Sequence, residues 1–221
     1  MKKRIFSLVM TWGMVLILFL SLEPGAFPAS TAYAETDLVS GISIDDEYII
    51  PDSSGYFIYY VVVATNNNDS DVSVSADFVA KDSNGNVIKK VNDYSDAVKK
   101  GQQFILYGQF NTSITQKAKD YEYSLDVTAS NKSAYNAVDI DTKEVDHALE
   151  VSATNMMSRD IQSVNVRTVF VKDGNPVAFD TVNIADSGTV FHGGSSNSLQ
   201  NFHFITCYFI HKVIFVHFYL F

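Results

Sequence analysis

The stretch Val72-Ser73-Val74-Ser75-Ala76-Asp77-Phe78-Val79-Ala80-Lys81-Asp82 places an apolar residue at every second position from Val72 to Ala80. Successive side chains of a strand point to opposite faces, so this pattern predicts a strand with one face against a core. Asn84-Gly85 follows, and both residues tolerate the positive φ angles that tight hairpin turns require. The stretch therefore predicts a β-hairpin whose second arm begins at Val87-Ile88.

The same pattern returns later in the chain. Ala64-Thr65-Asn66 recurs as Ala153-Thr154-Asn155, 89 positions further on, and a polar turn follows each Asn. The alternating strand then recurs with a difference of two residues in its spacing, which we expect a β-bulge to absorb. The matching segments of the second copy are Val164-Asn165-Val166, Val169-Phe170-Val171 and the turn Lys172-Asp173-Gly174-Asn175.

Further short runs typical of strands surround the first hairpin and complete a sandwich. They are residues 41–44, 56–63, 103–110 and 121–127, whereas 93–100 reads as a loop or helical turn. Six or seven strands in about 90 residues is typical of an immunoglobulin-like sandwich. The predicted fold class is all-β, with two tandem immunoglobulin-like sandwiches at 37–130 and 131–204. We expect Val62, Phe78 and Leu125 to face the first core.

The end of the alternating strand also carries a family resemblance. Phe78-Val79-Ala80-Lys81-Asp82 resembles the motif of FxLYD-type modules of secreted and surface bacterial proteins, with the Phe and Asp kept and Ala80 and Lys81 in place of Leu and Tyr. The second copy has Val169-Phe170-Val171-Lys172-Asp173 at this point. The resemblance implies a small exported β-sandwich and transfers no catalytic residue.

Residues 1–34 have the three parts of a secretory signal. A basic start at Lys2-Lys3-Arg4 precedes the apolar segment 6–22, and Ala32-Tyr33-Ala34 presents the small residues that a signal peptidase reads. The basic start and the length resemble signals of Gram-positive bacteria. The apolar segment is short for a membrane span and no basic flank follows it, so cleavage after Ala34 is favoured over an uncleaved anchor.

Charge and cysteine content narrow the function classes. Removing 1–34 takes away 3 of the 16 basic and 1 of the 25 acidic residues, leaving 13 against 24 and a formal charge of −11. Such a surface repels phosphate backbones, which argues against nucleic-acid binding. Cys207 is the single cysteine, so no intramolecular disulfide can form.

The last segment, 205–221, differs in composition from the rest. It is apolar and aromatic, and His211, Lys212 and His217 interrupt it. Three interpretations stay open: a membrane anchor, a final buried strand, or an out-of-frame or truncated ending. The third is favoured because the alternation expected of a half-buried closing strand is missing, and it predicts that the second sandwich is incomplete and that residues from about 205 onward do not support folding.

We predict no catalytic, cofactor-binding or metal-binding residues. The histidines and Cys207 form no recognisable catalytic signature, and Gly193-Gly194 lacks the Lys-Ser/Thr of a phosphate loop. A buried inert thiol is the favoured role of Cys207. A zinc site built from the tail histidines is disfavoured by their irregular spacing. The histidines considered are His147, His192, His203, His211 and His217.

Two groups of residues are candidate ligand sites, and each also has a plain structural interpretation. The acidic clusters Asp45-Asp46-Glu47 and Asp139, Asp141, Glu144 and Asp146 offer the hard oxygen ligands that calcium prefers, but solvated acidic strand edges are favoured. Tyr56, Tyr59 and Tyr60 offer a sugar-stacking face, but tyrosines of half-buried strands are favoured.

These observations predict an exported, non-enzymatic tandem β-sandwich protein. Its expected role is a spacer or an adhesion or binding module at the bacterial cell surface, with a protein or glycan partner. Membrane contact is expected only through the C-terminal tail. The alternative is an accessory carbohydrate- or calcium-binding module of a secreted system.

Cleavage of the signal can be tested by mass. Because Ala32-Tyr33-Ala34 presents the cleavage site, intact-mass analysis of material secreted by a bacterial host should give a chain beginning at Glu35. A secreted chain that retained Met1 would contradict this prediction.

Overall fold

The computed structural model describes residues 37–131, 138–145, 148–161, 163–184, 191–202 and 211–219. The signal at 1–34 lies outside these residues and stays a prediction. A short 3-10 turn, Leu38–Gly41, leads into the first strands. The first repeat contains β1 Ile42–Pro51, β2 Phe57–Asn66, β3 Val72–Lys81, β4 Val87–Val98, β5 Gln103–Asn111 and β6 Asp120–Ala129. The second contains β7 Val138–Val145, β8 Ala148–Asn155, β9 Ser163–Lys172, β10 Asn175–Asn183, β11 Ser196–Phe202 and β12 His211–Tyr219.

The strands form four antiparallel three-stranded sheets, which confirms the all-β sandwich class. Sheet A has the order β1-β2-β5 and sheet B the order β4-β3-β6. Sheet C, β7-β8-β11, and sheet D, β10-β9-β12, repeat these two orders with strands six places later in the chain. The repeat seen in the sequence is therefore a repeat of the whole strand topology.

Sheets A and B enclose the first core, and β3 supplies its centre. Val72, Val74, Ala76, Phe78 and Ala80 are all at most 1% exposed, which is the alternation predicted for this strand. Val62 is also buried, and Leu125 packs half-buried against the same core, so the inward orientation of Val62, Phe78 and Leu125 is confirmed. The ring of Phe78 fits because Gly108 faces it: a Cβ on Gly108 would lie 2.6 Å from the Phe78 Cβ.

Both predicted hairpin turns form. Gly85 has a φ of 81°, and the Asp82 carboxylate accepts hydrogen bonds from the backbone N–H groups of Asn84 and Asn86 at 2.8 and 2.9 Å. In the second copy Asp173 and Gly174 have φ angles of 51° and 77°. Of the two matched motif residues, Phe78 therefore packs in the core and Asp82 stabilises the turn.

Sheets C and D enclose the second core, but β9 differs from the expectation of a bulged strand. Val164, Val166 and Phe170 face this core, whereas Val169 belongs to a different apolar cluster on the opposite face. Val164 and Val166 therefore face the second core, whereas Val169 and Val171, on the other side of Thr168, lie on the opposite face of the same strand. Its pairing with β12 is continuous, and the register shift lies in β10, between Pro176 and Ala178.

Two further segments correct the sequence-based interpretation. Residues 93–98, expected as a loop or helical turn, continue β4 and pair with β3. Residues 211–219, for which an out-of-frame or truncated ending was favoured, form β12, which pairs with β9 from His211 opposite Val171 to Tyr219 opposite Ser163. This strand occupies the place of β6 in the first repeat, so the described part of the second repeat has six strands, the last of them beyond residue 204.

Truncating Phe78 tests the first core. Phe78→Ala should lower the free energy of unfolding by about 3–5 kcal/mol, because the ring is fully buried and leaves a cavity. Denaturant unfolding measures the loss. Val87→Ala is the control, since Val87 is 57% exposed in the same hairpin and should cost little. A Phe78→Ala loss below about 1 kcal/mol would mean that the strand phase is wrong.

Removing the last strand tests the second sandwich. A chain of residues 35–204 lacks β12 and leaves one side of β9 unpaired, so it should melt below the 35–221 chain. Differential scanning calorimetry of both chains measures the difference. Equal melting temperatures would restore the interpretation that the tail does not support folding.

Candidate functional site

The first notable site is an apolar contact between sheet A of the first sandwich and sheet D of the second. β2 is buried on both faces, because Val62 points into the first core while Val61 and Val63 point toward sheet D. Half-buried tyrosines and Val171 surround the contact. Its buried members are Ile50, Val61, Val63 and Ile105 from sheet A, with Val169 and Phe179 from sheet D.

Arg167 crosses this contact and pairs with Asp93 of β4. Two hydrogen bonds join them, from Nη1 to Oδ2 at 2.7 Å and from Nη2 to Oδ1 at 2.8 Å. Arg167 is 2% exposed, so the pair is shielded from solvent. The guanidinium also lies 4.9 Å from the centre of the Tyr107 ring, where a cation interacts favourably with the aromatic face.

The ion pair also gives hydrogen-bond partners to two backbone groups on the open edge of β5. Arg167 Nη1 donates to the Ile105 carbonyl at 2.6 Å, and Asp93 Oδ2 accepts from the Tyr107 backbone N–H at 3.0 Å. Unpaired groups along an edge strand invite pairing with other chains. Here the edge of β5 is closed by a side chain from each sandwich, which fixes the second sandwich against the first.

Aromatic rings pack around the ion pair. Tyr59, Tyr107 and Phe179 have centroid separations of 5.2 Å for Tyr59–Phe179 and 4.9 Å for Tyr107–Phe179, within the range of favourable aromatic pairs. Burial raises the pKa of Tyr107 above its ordinary value, with the nearby Arg167 charge acting in the opposite direction. The joint between the sandwiches is therefore apolar and aromatic, with one buried charge pair.

A second carboxylate closes the opposite edge of the first sandwich. Glu47 of β1 accepts hydrogen bonds from the hydroxyls of Tyr60 at 2.8 Å and Tyr123 at 3.0 Å, which joins sheet A to sheet B. Burial and the Glu47 carboxylate raise the pKa of both tyrosines above their ordinary value.

The acidic clusters considered for calcium do not converge. The Asp45 carboxylate accepts hydrogen bonds from Thr65 and Gln103, both at 2.6 Å, while Glu47 binds tyrosine hydroxyls. Asp139 and Asp141 lie exposed on β7. The side chain of Glu144 and all of Asp146 lie outside the described residues. Within the described ranges, no three His, Cys, Asp or Glu side chains are grouped to hold a metal ion.

The three tyrosines considered for sugar stacking do not share a face. Tyr60 is buried in the first core, Tyr59 packs against Phe179, and Tyr56 is 68% exposed beside a turn. Strand alternation separates Tyr59 from Tyr60, so these tyrosines do not form the sugar-stacking face that was the disfavoured alternative.

The histidines, Cys207 and the glycine pair form no described site. His192 is exposed, with Nδ1 3.3 Å from Asp160 Oδ1, and Gly193-Gly194 lies in the adjoining turn. His147, His203 and Cys207 lie outside the described residues. His211 and His217 are part of β12, whose side chains are likewise not described.

A polar groove lies on the outer face of sheet B. Its volume is about 270 Å³, and β4, β3 and β6 all line it. In the strand register, Ser75 lies opposite Tyr94 on one side and Asp126 on the other. No motif in the sequence marks this groove, since its residues come from three strands. The lining residues are Ser73, Val74, Ser75, Asn92, Tyr94, Ser95, Asp96, Asp126 and Thr128.

No family model matches the chain, and no curated protein matches it. Among solved structures, the chain is similar to red sea bream transglutaminase at 8% identity and a TM-score of 0.26. The match covers 80% of this chain and 27% of that chain, so this chain spans about a quarter of the length of that structure. In the part of the chain that the structure describes, no helix is long and apolar enough to cross a membrane.

Breaking the buried ion pair should destabilise the protein. Asp93→Ala and Arg167→Met should each cost about 3–5 kcal/mol in the free energy of unfolding, because each leaves a buried charge without its partner. The double variant should cost much less than the sum of the two, and denaturant unfolding of all four proteins measures this coupling.

The control is Lys90→Met, which breaks the exposed Lys90–Asp77 pair at 2.7 Å and should have no measurable effect. Additive losses for Asp93→Ala and Arg167→Met would contradict a direct interaction between the two side chains.

Alkaline pH should weaken the hydrogen bonds that the Tyr60 and Tyr123 hydroxyls donate to Glu47 and so lower the stability of the fold. Tyr60 and Tyr123 have raised pKa values in the folded protein, so their neutral forms stabilise the fold fully below the ordinary tyrosine pKa of about 10. This contribution should fall as the pH rises above about 10. Urea unfolding at a series of pH values from about 8 to about 11.5, which spans the ordinary tyrosine pKa, should show this fall in the free energy of unfolding.

Tyr60→Phe should reduce the size of this alkaline loss, and Tyr56→Phe is the matched control at an exposed tyrosine. Stability that does not change across this range would contradict the role given to Tyr60 and Tyr123.

Proposed function

We propose that the chain is an exported, non-enzymatic protein that works as a rigid spacer or binding module at the bacterial cell surface. The observation that carries the proposal is the joint between the sandwiches, where the Arg167–Asp93 pair crosses an apolar contact. Domains of one chain usually move relative to each other unless their interface is large and hydrophobic. A joint of this kind keeps two sandwiches at a constant separation, which suits a spacer or a presenting module.

The use of the carboxylates supports a structural role. Glu47 and Asp93 close sheet edges, while Asp82 and Asp52 accept backbone hydrogen bonds in turns. Each of these acids has a defined task in the fold. The signal-like segment 1–34 and the resemblance to FxLYD-type modules support export and a surface location.

Cell fractionation tests the proposal. The full chain with a C-terminal epitope tag is expressed in a Gram-positive host, and cytoplasm, membrane, wall and medium are blotted. The tagged protein should appear in the wall fraction or the medium. Purified tagged protein, residues 35–221, should also sediment with washed cell walls. Its binding should be saturable, and an excess of untagged protein should displace it. Retention in the cytoplasm at full length would overturn the proposal.

A further inference from the structure

We propose that the groove on the outer face of sheet B binds a neutral carbohydrate. This inference rests on the proposed function, since it names a ligand class for a surface binding module. The groove lies on the outer face of sheet B, whereas Asp93 of β4, which pairs with Arg167 in the joint, lies opposite Ala76 on the buried face of the same sheet. Its volume of about 270 Å³ lies near the lower end of small-molecule sites and suits one or two sugar rings.

The lining has the hydrogen-bonding chemistry of a sugar site. Five of its nine residues, Ser73, Ser75, Asn92, Tyr94 and Thr128, are not buried and carry a neutral hydroxyl or amide, and two others carry a carboxylate. Sugar hydroxyls both donate and accept hydrogen bonds, so a mixture of hydroxyl, amide and carboxylate groups can satisfy them. Asp126 and Thr128 are exposed on β6, at one side of the groove.

Tyr94 supplies an aromatic wall at the other side. It is 42% exposed on the outer face of β4, so part of its ring is open to solvent. Ser75 lies between Tyr94 and Asp126 in the register, and adjacent strands are about 4.8 Å apart, so the two are separated by roughly 10 Å. A sugar ring fits this gap with one apolar face toward Tyr94 and its hydroxyls toward Asp126.

The charge of the groove selects among ligands. Among the described residues that line it, the charged ones are Asp96 and Asp126, and both are acidic, which disfavours phosphate-bearing and other anionic polymers. A basic peptide is the competing ligand class for two carboxylates. The predominance of neutral polar groups and the exposed ring favour the neutral sugar.

Nuclear magnetic resonance titration of the mature chain, residues 35–221, tests this inference. The probes are four neutral oligosaccharides, chitotetraose, cellotetraose, maltotetraose and mannotetraose, with spermine as a cationic probe. At least one oligosaccharide should shift the amide signals of Ser75, Asn92 and Asp126. A Kd on the order of 1 mM is expected, because an open groove buries only part of a sugar.

The variants separate stacking from general surface effects. Tyr94→Ala should weaken the oligosaccharide about tenfold or more, whereas Tyr94→Phe keeps the ring and should retain most of the affinity. Asp126→Ala should also weaken binding. Tyr56→Ala removes a tyrosine that is 68% exposed elsewhere in the first sandwich and should leave binding unchanged.

Several results would overturn the inference: no shift with any of the four oligosaccharides, binding that survives both Tyr94→Ala and Asp126→Ala, or binding of spermine alone with loss at high salt. These results concern purified protein and do not depend on where the protein is found in cells. Failure of the groove would therefore leave the fractionation result standing, and failure of export would leave the titration result standing.

Discussion

The buried pair of Arg167 and Asp93 is the interaction on which the arrangement of the two sandwiches depends. Arg167 is 2% exposed, and a guanidinium removed from water is costly unless its N–H groups are satisfied. Its hydrogen bonds go to Asp93, to the Ile105 carbonyl and to Asn165 of its own strand. These partners come from both sandwiches, so the charge is satisfied only when the two are in contact.

The same pair also protects an edge strand of a narrow sheet. A three-stranded sheet has two edge strands, and each leaves unpaired backbone groups that invite aggregation. Asp93 and Arg167 cover part of the β5 edge, and Glu47 on the β1 edge binds Tyr123 of the β6 edge as well as Tyr60 of β2. Charged side chains therefore both close the first sandwich and attach it to the second.

The regular parts of the fold could be predicted from the sequence because they follow local rules. The alternation from Val72 to Ala80 and the turns at Asn84-Gly85 and Asp173-Gly174 depend only on strand periodicity and on residues that tolerate positive φ. The inward faces of Val62 and Phe78 followed from the same periodicity.

Long-range features could not be predicted in this way. The run from Val164 to Val171 was interpreted as a one-sided strand with a bulge, but β9 is buried on both faces, which only the contact with sheet A explains. Arg167 at the centre of this apolar run was a usable signal, since a charged residue in a buried strand requires a partner. The strand 211–219 lacks alternation, and its pairing with β9 appears only in three dimensions.

The groove on sheet B shows the same limit, because Tyr94, Ser75 and Asp126 come from three strands and meet only through the strand register. The tyrosines that are close in sequence, Tyr59 and Tyr60, instead point to opposite faces and serve two different packing surfaces. Proximity along a strand was therefore a poor guide to a shared binding face.

The proposed spacer role requires the two sandwiches to keep one relative position, and a spin-label distance measurement tests this requirement most directly. Labels are placed on Ile114→Cys and Met156→Cys, which are 55% and 65% exposed, with Cys207 replaced by Ser. Double electron–electron resonance should give one narrow distance distribution, which broadens when Arg167→Met is added. A broad distribution in the protein with Arg167 intact would contradict the proposed role.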